Sequence, residues 1–267
     1  MPQPLTLGID VGATLCKLAL RGDTLHTEHH PSRDLDAVRT RAEAWAPARI
    51  VATGGGADRL GTTLAGVPVE HVSEFDAWGR GAELVAAAEG TALPPDYLLV
   101  SLGTGTSILR VRNGRVERVG GTALGGGTMV GLGRLLFGLE SFADVAALAA
   151  SGDRRHVDLL VGDVYRGTAS SIASQLTAAS FAKLDSLAGP DVAHALMGLV
   201  AENVVLIAGA LARGAGVETI VFCGSTLTGN PALRDIVGEI TTFFGNRPLF
   251  LAGGAYAGAV GAAALAR

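Results

Sequence analysis

Residues 8–17 read GIDVGATLCK, and the small and polar positions in that run can serve a phosphate. Gly12 and Ala13 leave the backbone N–H groups of a tight turn open, because neither side chain blocks an approaching anion. The Thr14 hydroxyl can donate to a phosphate oxygen, and Lys17 can neutralise transferred charge. Asp10 ends an apolar run and offers a hard oxygen ligand to Mg²⁺, directly or through water. The same residues also make an ordinary hairpin turn in which Asp10 hydrogen-bonds its own loop.

A second run, Gly103, Thr104, Gly105, Thr106 and Ser107, repeats this chemistry with more hydroxyls. Two such loops facing each other would grip a polyphosphate from both sides. Neither contains GxxxxGK[ST], and neither fits a dinucleotide fingerprint leading into a helix. A third cluster, Gly125, Gly126 and Gly127, follows Gly120-Gly121 and opens a predicted helix. Exposed amides at a helix start favour an anion, while the other use of such a cluster is a loop or tight packing. Gly224 and Ser225 follow an apolar strand and either let an adenosine lie against bare backbone or simply turn the chain.

Ser73-Glu74-Phe75-Asp76 precedes a helix. Ser73 and Asp76 fit the two halves of a capping box, which leaves Glu74 free to face a cleft. A carboxylate there can accept the proton of a substrate hydroxyl during phosphoryl transfer. Arg118, just ahead of Gly120-Gly121, can hold a substrate carboxylate in a bidentate fork. Taken singly, each of these residues is also open to a purely structural role.

The surrounding pattern supplies elements to position them. Residues 5–10 and 15–21 are apolar runs around the turn 11–14, which predicts a β-hairpin, with 24–29 as a third strand. A helix over 34–46, a strand over 49–53 ending in Gly54-Gly55-Gly56, a strand over 67–71 and a helix from about 76 to 89 follow. Residues 91–96, with Pro94-Pro95, read as a connection dividing the chain into 1–92 and 93–267. The second part begins as the first did, with a strand over 97–102, a turn at 103–106 and a returning strand over 107–112. Shifting the chain by 91 residues places Gly103 on Gly12 and Ser101 on Asp10, which reads as an internal duplication. Helices are predicted over 126–137, 141–150 and 193–213. A strand over 219–223 leads into a helix ending near 243, and a strand over 249–252 precedes a closing helix over 257–266. Strands alternating with helices in two related halves predict an α/β protein with a cleft between lobes.

Composition bounds the function. Of 267 residues, 48% are apolar and 17% charged, enough to build a substantial core and too few charges for a disordered chain. A net charge of −4 argues against nucleic acid or an anionic membrane surface as partner. The longest apolar stretch, 192–211, is interrupted by His194, Glu202 and Asn203, which fits a buried helix better than a membrane span. Cys16 and Cys223 fall in strand-like segments and read as buried free thiols of a reducing compartment, with no spacing for a metal or cluster. The N-terminus lacks the pattern of a signal peptide, so a cytoplasmic protein is expected.

Taken together, these segments resemble the type II pantothenate kinases of the acetate-and-sugar-kinase, Hsp70 and actin superfamily. The matching stretches are GIDVGATLCK (8–17), EFDA (74–77), GTGTS (103–107), RVGG (118–121), the glycines at 125–127, GDR with the following Tyr165, LTA (176–178), Gly224-Ser225 and GAVGA (258–262). The resemblance implies an actin-like (ribonuclease H-like) two-lobed fold with duplicated mixed sheets and an ATP cleft between the lobes. It implies phosphorylation of pantothenate by ATP, with Glu74 as catalytic base, Asp10 positioning Mg²⁺, and Arg118 on the pantothenate side. Gly12, Ala13, Thr14, Lys17 and 103–106 would surround the phosphates, and a homodimer is expected. A kinase of the same fold acting on pantetheine or a sugar, and a nucleotide-binding regulator, are the alternatives. This chain departs from the family in three places. Ala13 replaces the second loop glycine, Gln175 and Ser180 replace an Asp and an Asn, and Leu249-Phe250 stands where tyrosines are usual.

Overall fold

The structure is a computed structural model describing residues 4–165 and 173–267. The chain opens with β1 (Thr6–Val11), β2 (Leu15–Arg21) and β3 (Leu25–Pro31), then α1 (Leu35–Trp45), β4 (Arg49–Thr53), β5 (Thr63–Leu64) and β6 (Val67–His71). These strands form one sheet in the order β3-β2-β1-β4-β6-β5. β1 lies in the middle, antiparallel to β2 and parallel to β4, and all six of its residues are buried. A strand covered on both faces is expected to be mostly small or apolar, and Asp10 is the one charged residue of β1. Its alternate residues divide the work: Leu7, Ile9 and Val11 pack with Val38, Ala42 and Leu60 on the α1 side. Gly8 and Asp10 point the other way.

α2 (Glu74–Ala88) leads to a second sheet begun by β7 (Asp96–Leu102), β8 (Thr106–Arg112) and β9 (Arg115–Thr122). After α3 (Gly126–Phe137), α4 (Phe142–Ala149), β10 (Leu159–Leu160), α5 (Val161–Val164), β11 (Thr177–Ala179) and α6 (Gly189–Ala215), the chain adds β12 (Thr219–Cys223), α7 (Pro231–Phe243) and β13 (Arg247–Phe250). The second sheet runs β13-β12-β7-β8-β9, and α8 (Ala257–Ala264) closes the chain. Leu98, Val100, Leu102 and Ile108 bury one face of it against Met197, Val200 and Val204 of α6 and Leu233 and Val237 of α7. Tyr97, Leu99, Leu109, Val111 and Val221 bury the other against Trp78, Ala82 and Val85 of α2 and Ala257, Ala259 and Val260 of α8.

α2 and α8 therefore form a shared middle layer, with Ala19 of the first sheet in the same cluster. They touch backbone to backbone, Gly81 against the Ala257 carbonyl and Gly261 against the Ala77 carbonyl. Gly8 likewise lies against the Ala259 carbonyl, so the closing helix docks on the first sheet although it follows the second in sequence. Glycine at Gly8, Gly81 and Gly261 is what this approach requires, since a methyl at any of them would overlap the facing backbone.

Several elements differ from the sequence expectations. β9 was not predicted, and it puts Gly120 and Gly121 on a strand rather than in a loop before a helix. α2 starts at Glu74 rather than 76, with the Ser73 hydroxyl accepting from the Asp76 N–H. α6 starts at 189 rather than 193, because Pro190 fills its first turn, where a missing N–H costs nothing. By length and composition α6 could cross a membrane, but 67% of its most apolar window is buried within this fold. The helix predicted directly after Ser225 is split: a 3-10 turn covers Ser225–Leu227, and Asn230 then caps α7 by accepting from the Leu233 N–H. β13 spans Arg247–Phe250 rather than 249–252.

Candidate functional site

The tips of the β1–β2 and β7–β8 hairpins face each other, and the Thr14 and Thr104 hydroxyls meet at 2.9 Å. Between them opens a cleft of about 650 Å³. Its walls include Asp10, Gly12, Ala13, Thr14, Lys17, Glu74, Gly103, Thr104, Gly105, Thr106, Arg118, Gly126, Gly127 and Ser225, so residues predicted from scattered segments converge here. Gly125 and Gly224 lie just behind the wall. A methyl at Gly125 would come within 2.9 Å of Gly103, Thr104 and Gly105 backbone atoms. Gly224 holds φ at +115° with its α-carbon against the Leu102 backbone, a conformation and a contact that exclude a side chain.

The loops are braced from behind. Ser32, after β3, donates its hydroxyl to the Gly12 carbonyl at 2.6 Å and its N–H to the Thr14 carbonyl at 2.9 Å. Thr226 donates to the Gly103 carbonyl at 2.9 Å. The Gly126 and Gly127 amides donate to the Gly103 and Thr104 carbonyls, both at 2.8 Å. Of the two uses open to this glycine cluster, these bonds describe packing: α3 fastens the second loop, and its first two amides are engaged within the protein. Thr106 is similarly occupied, donating to the Leu124 carbonyl at 2.8 Å.

Charge is concentrated on the floor. Asp10 and Lys17 are cross-strand partners on β1 and β2, with Nζ and Oδ2 3.6 Å apart and both side chains nearly buried. Burial pushes the Asp10 carboxyl above the usual range, and Lys17 counters this. Gly54, with φ at +90°, and Gly258 flank the carboxylate; a methyl on either would lie 2.7 or 2.6 Å from an Asp10 oxygen. The cradle thus needs glycine on both sides.

Glu74, in the first turn of α2, opens into the cleft. Its pKa is raised by burial and by the Asp10 charge, while Lys17 and Arg118 pull it down. A raised carboxylate pKa suits a general base, since it strengthens proton uptake. Arg118 reaches the same space through a bulge. β9 pairs Gly120 with Ile108 but Arg118 with Leu109, which leaves Val119 without an opposite residue. Such bulges re-aim side chains, and a methyl at Gly121 would lie 2.8 Å from the Arg118 Nη2. RVGG is therefore a bulge with room for a guanidinium laid across it.

Sequence reasoning missed Ser32, Trp78, Thr226 and the far end of the cleft, where Val130, Gly131, Arg134 and Phe142 line the wall. The helical period of α3 placed Val130 and Arg134 on one face, but nothing local marked it as a cleft face. Leu249 and Phe250 are absent from the lining. Phe250 stacks on Phe222 with ring centres 5.3 Å apart and receives the Arg234 guanidinium at 4.8 Å. Cys16 and Cys223 are buried free thiols, Cys16 pushed up to about 12 by burial.

Comparison with known proteins matches residues 22–265 to the family described as Fumble. A type II pantothenate kinase of Bacillus cereus (strain G9842) is 34% identical over 96% of this chain and 97% of its own length. The chain belongs to the Fumble, or type II pantothenate kinase, family. A second member, from Oceanobacillus iheyensis, is 35% identical over 96% of this chain. Among solved structures, component A of the Acidaminococcus fermentans (R)-2-hydroxyglutaryl-CoA dehydratase superposes with a TM-score of 0.64 at 21% identity, covering 98% of this chain and 96% of that one. A ROK family glucokinase from Streptomyces griseus, in complex with glucose and AMPPNP, superposes with a TM-score of 0.61 at 15% identity, covering 98% and 99%. These two share the fold, which is the actin-like α/β arrangement. EFDA and RVGG each supply a cleft residue, Glu74 and Arg118, whereas GAVGA packs behind the cleft, with Gly258 against the Asp10 carboxylate.

Proposed function

We propose that this chain transfers the γ-phosphoryl group of ATP to the primary hydroxyl of pantothenate, giving 4′-phosphopantothenate and ADP at the start of coenzyme A synthesis. The observation that carries this is the meeting of Glu74 and Arg118 with both phosphate loops on one cleft. The loops hold the polyphosphate between the lobes, residues 1–92 and 93–267, with adenosine toward Ser225 and the α3 wall. Arg118 takes the pantothenate carboxylate in a bidentate fork, which orients the hydroxyl at the other end of the substrate. Glu74 accepts the hydroxyl proton as the oxygen forms its bond to Pγ, and the bond from Pγ to the bridging oxygen of ADP breaks. Lys17 offsets the charge that shifts toward the leaving oxygens.

Mg²⁺ fits this floor, since the buried Asp10 Oδ2 has no hydrogen-bond partner among the described residues. When bound, the ion neutralises polyphosphate charge, with Asp10 holding it directly or through water. A cytoplasmic homodimer is part of the proposal; Leu135, Leu136 and Leu206 are exposed apolar groups compatible with a subunit contact. The test is ATP-dependent phosphorylation of pantothenate by the purified protein, with the product identified by mass spectrometry and the assembly by light scattering. Phosphorylation of pantetheine or a sugar in preference to pantothenate would overturn the substrate, and ATP binding without any transfer would favour a regulator.

A further inference from the structure

Trp78 lies one turn after Glu74 on α2, lines the cleft, and is only 5% exposed. The Lys17 ammonium stands 5.8 Å from the centre of its ring, within the range of a cation–π contact. The same ammonium is 3.6 Å from Asp10 Oδ2, an ion pair too long to be a hydrogen bond, and Oδ2 is left without a partner. In so buried a setting a free lysine would close on a lone carboxylate to about 2.8 Å. Lys17 is instead shared between two neighbours, one anionic and one aromatic. Gly258 of α8 fixes that arrangement from below: a methyl there would lie 2.6 Å from Asp10 Oδ2 and 3.1 Å from the Trp78 Nε1. The closing helix thus seats the carboxylate and the indole side by side. The other charged groups lining this part of the cleft are Glu74 on α2 and Arg118 on β9.

We propose that Trp78 is a positioning residue for phosphoryl transfer: its indole holds the Lys17 ammonium off Asp10, so that the ammonium faces the cleft and the carboxylate keeps one uncommitted oxygen. The inference deepens the phosphoryl-transfer function proposed above and rests on it for its kinetic consequence, though not for the placement of Lys17. A wholly structural tryptophan would support the fold without affecting how Lys17 is shared. A positioning tryptophan changes kcat more than substrate binding, because Lys17 acts on charge that develops during transfer.

Two experiments test this. In the first, Trp78→Leu and Trp78→Phe are compared with the wild-type enzyme. Trp78→Leu, which removes the aromatic face, is expected to lower kcat about tenfold with KM for ATP moving about twofold or less, and Trp78→Phe to recover most of the loss. The second needs no substrate: with Trp45→Phe leaving Trp78 as the single tryptophan, Lys17→Met is expected to shift the indole emission, because the ammonium lies against its ring. An emission unmoved by Lys17→Met overturns the proposal. So does a Trp78→Leu enzyme with wild-type kcat, or a Trp78→Phe enzyme no better than Trp78→Leu. A wild-type protein that does not phosphorylate pantothenate but whose emission responds to Lys17→Met would refute the substrate and uphold the placement of Lys17.

Discussion

The two hairpins that form the cleft have the same plan and opposite electrostatics. In the first, the second cross-strand pair below the turn is Asp10 opposite Lys17; in the second, the corresponding pair is Ser101 opposite Ser107. The first hairpin buries a charged pair against Trp78 and Gly258, whereas the second is neutral and tied by hydroxyls and α3 amides to its own carbonyls. A neutral loop can grip a polyanion without committing charge to any one oxygen. A charged loop can respond to where charge moves. On the proposed function the two hairpins would divide holding from chemistry, with Glu74 on the charged side.

The sharpest way to break this division is at Glu74. Glu74→Gln keeps the shape and removes the proposed base, so kcat should fall by about 10²- to 10⁴-fold with ATP affinity little changed, measured by steady-state kinetics and calorimetry. Wild-type turnover in the folded variant would remove Glu74 from the chemistry. Next comes the pair that distinguishes the hairpins. Asp10→Asn leaves the nearly buried Lys17 without its counter-charge, which should cost about 3–5 kcal/mol of stability in denaturant titration and most of the activity. Ser101→Ala removes a neutral group at the equivalent position and should lower kcat/KM by about fivefold at most, the scale of one neutral hydrogen bond. Equal losses from the two would mean that the hairpins do not differ in role.

pH sharpens the same contrast. As the proposed base, Glu74 must be deprotonated to act, so activity is expected to fall as pH drops through its raised pKa, and the acid limb should lie above the ordinary glutamate value. Arg118 favours the carboxylate. Arg118→Gln should therefore move that limb to higher pH as well as raise KM for pantothenate; a limb that stays put or moves down would separate the two residues. The smallest effect is expected at the first tip, where Ala13 is exposed. Ala13→Gly should change KM for ATP by about twofold and kcat less, because one methyl beside an already open amide changes approach rather than charge.

Much of the site could be read from residue type. Glycines between apolar strands require a tight turn wherever they occur, and Thr14, Thr104 and Glu74 could be placed because their neighbours allow only certain local conformations. Arg118 was found by its chemistry, but β9 and its bulge were not. RVERVGG alternates poorly and carries two glycines, so only its pairing with β8 makes it a strand. Trp78 gave no signal, since a tryptophan in an apolar helix face reads as core. Ser32 and Thr226 brace the loops through single hydroxyl bonds between segments far apart in sequence. Residues with such bonds look like any other polar residue of a turn.

Local order in this protein follows from the sequence alone: turns where glycine is needed, strands where apolar residues run together, helix starts where a hydroxyl can cap, and a family whose motifs recur in order. Those preferences act over a few residues, through backbone sterics and the nearest hydrogen bonds. What the tertiary structure decided is which of these pieces meet. The closing helix returns to the first sheet because Gly258 and Gly261 permit contact that no larger residue would, and this return puts Asp10, Lys17 and Trp78 together. Their charges and separations are properties of that burial. Desolvation depends on everything that surrounds a group, and no window of sequence contains it.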